Sequence, residues 1–171
     1  MKLIESKTLV TAQASIEFTS IPQTYTDLRF VLSLRSSRAA PVENAYLQFN
    51  NSSTSYTYRR LYGTGSGTFS GTETKIYFDP PAGSSTSNTF GNTSIYIPNY
   101  AGSTNKSVSI DDVTENNATL SYQLLSAGLW SNTSAITSVK FLSDTGSNFT
   151  ADSVVSLYGI LKGSDGIVTT S

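Results

Sequence analysis

Asp111, Asp112 and Glu115 form the densest acidic group of the chain, and paired-carboxylate chemistry would be sought there first. A glycosidase sets two carboxyls across one sugar, about 5 to 10 Å apart. Neighbouring residues of a strand point to opposite faces, so Asp111 and Asp112 do not make such a pair and read as part of a solvated loop. The run Asp144-Thr145-Gly146-Ser147-Asn148 offers alternate oxygen ligands. It lacks the downstream bidentate glutamate of a calcium loop and reads as an Asp-initiated turn. The glycine-rich stretch from Gly63 to Gly71 has neither the Gly-Lys-Ser/Thr end of a phosphate loop nor a helix start behind it, and reads as a mobile surface loop. Several Asn-X-Ser/Thr triplets, such as Asn92-Thr93-Ser94, are expected by chance in a chain so rich in these residues.

Two absences narrow the chemistry further. The chain has no histidine and no cysteine. Without imidazole there is no Ser-His-Asp relay and no histidine-ligated metal, and without thiols there are no disulfides, thiolate metal sites or cysteine nucleophiles. No spacing supports a carboxylate or Ser-Lys mechanism. The expectation is therefore a non-enzyme with no catalytic residues, no cofactor and no metal.

Features that point to binding are more prominent. Arg35, Arg38, Arg59 and Arg60 lie near strand ends beside Tyr56, Tyr58 and Tyr62. Arginine stacks on tyrosine and grips carboxylates with two donors, as at protein interfaces, although a solvated strand face with local ion pairs has the same signature. The single tryptophan, Trp130, sits among small hydroxyl residues. It is either core filler or, if exposed, a candidate for sugar stacking or a subunit contact. Tyr46, Tyr77 and Tyr96 fall on nominally outward positions and could form a sugar platform if they lined up on one face.

The elements that must position these residues are strands. Apolar residues alternate with polar ones at Leu28, Phe30, Leu32 and Leu34, and again at Ala45, Leu47 and Phe49. The same period recurs over Val10 to Phe18, Lys75 to Phe78, Thr93 to Ile97, Lys106 to Ile110, Leu120 to Leu125, Ile136 to Leu142 and Val154 to Leu161. Gly, Pro, Asn and Ser clusters separate them. Tyr56 to Tyr62 and Leu120 to Gly128 are the best helical candidates, and both also fit strands. About nine or ten short strands in 171 residues predict an all-β, jelly-roll-like antiparallel sandwich. The expected organisation is an N-terminal tail over residues 1–6, one β-sandwich domain over 7–162, and a C-terminal tail over 163–171.

Composition limits the partners. Charged residues are 13% of the chain, net charge is −1, and serine and threonine supply 52 of the 171 residues. Ten tyrosines, eight phenylalanines and one tryptophan argue for a folded chain rather than a disordered one. With 11 Lys+Arg against 12 Asp+Glu there is no basic stripe for nucleic acid. No apolar run reaches the length of a membrane span, and residues 1–7 do not read as a signal peptide.

Three stretches carry a resemblance: Phe18-Thr19-Ser20-Ile21-Pro22-Gln23-Thr24-Tyr25-Thr26-Asp27-Leu28 leading into Leu32-Ser33-Leu34-Arg35-Ser36, then Gly128-Leu129-Trp130-Ser131-Asn132-Thr133-Ser134-Ala135-Ile136-Thr137-Ser138, then Ser156-Leu157-Tyr158-Gly159-Ile160. With Phe49-Asn50 and the stretch from Tyr56 to Gly67, the chain resembles a family of small virion proteins of tailed bacteriophages, especially marine and cyanobacterial ones. The resemblance covers about residues 15 to 162 and implies a capsid decoration, or cement, protein. Such a protein would be made in the host bacterial cytoplasm and sit, as a homotrimer, on the outer capsid surface against the major capsid protein. The expected contacts are Lys2, Leu3 and Ile4 of the N-terminal tail, together with Arg35, Arg38, Arg59, Arg60 and Trp130. The alternative is a tail- or fibre-associated module that binds a receptor or a glycan.

Overall fold

A computed structural model describes residues 1–116 and 121–161. The described residues form twelve strands and no helix: Lys2–Thr8 (β1), Ser15–Phe18 (β2), Asp27–Ser33 (β3), Ala45–Phe49 (β4), Tyr56–Gly63 (β5), Thr68–Glu73 (β6), Ile76–Phe78 (β7), Asn92–Ile97 (β8), Lys106–Glu115 (β9), Ser121–Trp130 (β10), Val139–Ser143 (β11) and Val154–Ile160 (β12). None of them is a helix able to cross a membrane. The strands build two antiparallel sheets, one of eight strands in the order β1-β12-β3-β8-β9-β10-β5-β6 and one of four in the order β2-β11-β4-β7.

This topology is a jelly roll carrying two inserted hairpins. From β1 to β4 and again through β7, β8, β11 and β12 the chain steps alternately between the sheets, leaving a four-on-four sandwich with the orders β1-β12-β3-β8 and β2-β11-β4-β7. The hairpins β5–β6 and β9–β10 both join the first sheet and double its width. The alternation read from the sequence therefore holds. β9 buries every second residue from Lys106 to Thr114, and β3 buries Leu28, Phe30 and Leu32.

The core lies between the sheets. Phe18, Phe30, Phe78 and Phe141 meet edge to face with ring centroids 5.3 to 6.4 Å apart. Each is fully buried, so each adds roughly 1.5–3 kcal/mol of transfer free energy besides its ring contacts. At the other end Trp130 stacks on Tyr56 at 6.1 Å and tilts against Phe49 at 5.6 Å.

Several expectations change. Residues 1–6 are not a tail outside the sandwich: β1 pairs with β12 from Lys2 opposite Gly159 to Thr8 opposite Val154, making it an edge strand of the large sheet. No alternation betrays it, because an edge strand beyond the small sheet tucks in only Ile4 and Lys7, both partly. The expected tail at 163–171 lies outside the described residues. Tyr56 to Tyr62 is strand, not helix, and the glycine-rich stretch is a hairpin in which Gly65 takes the left-handed turn conformation (φ 80°) and Phe69 to Gly71 belong to β6.

Candidate functional site

Two constellations collect the charged residues, and they face opposite ways. The first is interior. β9 turns Asp112 inward and Asp111 outward, so the acidic pair is split across the sheet and Asp112 is buried rather than solvated. The Asp112 carboxylate accepts hydrogen bonds from Thr93 Oγ1 at 2.6 Å and from the Asp79 backbone N–H at 2.7 Å. Arg60 donates to the Asp79 carboxylate at 3.3 Å, and Thr114 donates to the Asp79 carbonyl at 2.6 Å. Burial is the main force raising both acids, Asp79 to about 7 and Asp112 to about 6. The Asp112 charge raises Asp79 further and Arg60 works against the rise. This cluster seals the polar boundary where the small sheet stops covering the large one. It is closed to a substrate, and among the described residues no group of three metal-ligating side chains exists.

The second constellation is the outer face of the large sheet. Cross-strand register aligns Val31, Ser94, Asp111, Leu125 and Leu61 in one row and Arg29, Tyr96, Ser109, Ala127 and Arg59 in the next. All of them except Val31 line a trough of about 810 Å³. Leu61 and Leu125 are 51% and 57% exposed, unusual for leucines at the middle of a sheet. Arg59 donates only to the Tyr58 carbonyl and Arg29 to Ser94 Oγ, and neither has an ion pair among the described residues. Asp111 is exposed on the same face, with no hydrogen bond or ion pair to a described residue.

The expected contact residues scatter. Arg35 is half-buried and donates to the carbonyls of Ser85, Thr86 and Thr89 at 2.9 to 3.0 Å, clamping the loop before β8. Arg38 donates to the Val42 carbonyl and lies 3.9 Å from the buried Glu43. Arg60 points inward to Asp79 and covers the Tyr62 ring at 4.6 Å. Trp130 is 1% exposed and belongs to the core, which removes it from any contact surface. Of the arginines only Arg59 reaches the outer face. Lys2 and Leu3 are exposed on β1, whereas Ile4 packs partly against the core. Arg29, Asp111, Leu61 and Leu125 were missed, although the alternation of β3 and the split of Asp111 from Asp112 already placed two of them outward.

The outward tyrosines Tyr46, Tyr77 and Tyr96 do not line up on one face. Tyr46 and Tyr77 meet edge to face on the small sheet, while Tyr96 is on the large one. Phe69, Tyr62 and Tyr122 do line up across three strands, with centroids 5.3 and 6.0 Å apart and planes 25° and 32° apart. Phe69 stacks on Tyr62 while Tyr122 tilts against it, contacts that tie the β5–β6 hairpin to β10. No protein-family model, curated protein or solved structure matches the chain.

Proposed function

We propose that this chain is a structural protein of a tailed-phage virion, most specifically a decoration protein bound to the outer surface of the shell. The observation that carries the reading is a large sheet left open on its outer face and along two edges, β1 and β6, while the interior charges are committed to one another. Surface of this kind suits assembly, and the sequence resemblance to phage virion proteins supplies the partner, the major capsid protein.

The β1 edge is the shell contact in this reading. Its outer backbone groups have no strand beside them, Leu3 is 52% exposed, and Lys2, Glu5 and Lys7 set a charged rim. A neighbouring subunit can add a strand there, with main-chain hydrogen bonds giving affinity. Repeated over many shell positions, a modest contact stabilises the whole particle.

The test is to mix the purified protein with phage particles stripped of it and image them by electron microscopy. Density at regular shell positions, reduced by Leu3→Asp, is the expected result. Density confined to tail or fibres moves the protein to the receptor- or glycan-binding alternative, and no density on any particle overturns the reading.

A further inference from the structure

We propose that the outer face of the large sheet around β10 is a self-association surface, on which two copies of this chain pack about a two-fold axis with Asp111 of each against Arg59 of the other. The proposal does not depend on where in a virion the protein sits. An isologous contact must carry its own complement: an apolar middle with opposite charges on its two sides. This face carries that arrangement. Leu125 and Leu61 lie beside Asp111 in one row, and Ala127 lies between Ser109 and Arg59 in the next. Asp111 and Arg59 are therefore diagonal across β10, two strand spacings and two residues apart, or roughly 12 Å between Cα atoms. Neither meets the other within one copy, and each charge lacks an ion-pair partner among the described residues.

An axis lying in the interface and passing close to Leu125 and Ala127 exchanges the two charged positions. Each Asp111 then meets the second copy's Arg59, twice, around a leucine-rich centre. Arg29 is also diagonal to Asp111, but Ser94 and Tyr96 rather than leucines lie between them, and its Nε already donates to Ser94. It falls at the rim.

The area is sufficient. On either side of β10 lie two strands, β9 and β8 on one and β5 and β6 on the other, so the overlapping face is roughly 24 Å wide and up to about 34 Å long, which matches the ~800 Å² per partner of a standard interface. A face-to-face contact of this kind closes at two copies.

The experiment is sedimentation and native mass spectrometry of the full chain across micromolar concentrations, with Asp111→Arg and Arg59→Asp studied singly, mixed and combined. The wild type is expected to be a dimer. Each single reversal sets like charges together at both contacts and weakens the dimer by at least about tenfold. Mixing the two single variants restores a one-to-one dimer, and the double reversal restores the homodimer. Circular dichroism on each variant checks the fold, and if a reversal unfolds, the neutral changes Asp111→Asn and Arg59→Gln replace it with the same direction of effect. A monomeric wild type, a trimer, or a dimer that survives both reversals and Leu125→Glu overturns the proposal. Mixed single variants that fail to pair overturn it as well.

Discussion

Titration of Asp79 should make this protein gain stability as the solution is acidified from neutral, against the usual behaviour of ion-paired carboxylates. In the folded state Asp79 is raised from 3.8 to about 7, first by burial and then by the charge of Asp112. A carboxyl raised on folding binds its proton more tightly in the native state, so its contribution is complete below about pH 4 and is lost as pH rises through 7. A rise of about three pH units corresponds to about 4 kcal/mol over that whole window, at about 1.4 kcal/mol per unit. Between pH 7 and pH 5 the share is about 2 kcal/mol, or roughly 4–8 °C in Tm for a domain of this size. Asp112, raised to about 6, acts with the same sign. The measurement is denaturant unfolding of wild type and Asp79→Asn at pH 5, 6, 7 and 8. The amide keeps the shape but cannot titrate, so the difference between the two proteins should shift in favour of the wild type by about 2 kcal/mol between pH 7 and pH 5. Parallel curves, or a difference moving the other way, would refute the reasoning.

Three further outcomes are expected. A Cβ at Gly159 would stand 2.3 Å from Cγ and Cδ1 of the Tyr25 ring, so Gly159→Ala should cost about 1–3 kcal/mol by thermal unfolding. Adding Tyr25→Ala should recover part of that loss, and fully additive losses would contradict the contact. Arg35→Met removes the three carbonyl contacts that clamp residues 85–89; a loss of about 2 kcal/mol and faster hydrogen exchange confined to that segment are expected. Trp130→Ala should cost about 3–5 kcal/mol through a cavity against Phe49 and Tyr56, measured by denaturant unfolding.

What the sequence disclosed depended on whether a strand is covered on one face. β3 and β9 of the large sheet and β4 of the small one are each covered on one face and alternate cleanly, so their faces were readable from residues such as Leu28, Leu47 and Ile110. β1 and β6 are mostly exposed, with only Ile4, Lys7 and Gly71 partly covered, so no period-two burial exists to be read from Lys2–Thr8 or Thr68–Glu73. The candidate site failed for a different reason. Arg59 and Arg60 are neighbours in sequence and therefore occupy opposite faces, one toward solvent and one toward Asp79. Arg35 ends on backbone carbonyls some fifty residues away, contacts that follow from the register of whole sheets rather than from local spacing. Asp112 looked solvated beside Asp111 because nothing local announces Thr93 and the Asp79 N–H as its partners.

The position of β1 also sets the order in which the fold can be completed. Its only partner in the sheet is β12, and the Ser6 and Ser156 hydroxyls that meet across that ladder are separated by 150 residues. The inserted hairpins are the reverse case, since β9 and β10 are five residues apart in the chain and β5 and β6 four, so neither pairing needs a distant segment. Local pairings form early and distant ones late, because loop closure must come before their contacts contribute. The hairpins can therefore exist while the jelly roll is still open, and β1 waits for β12 before it is anchored.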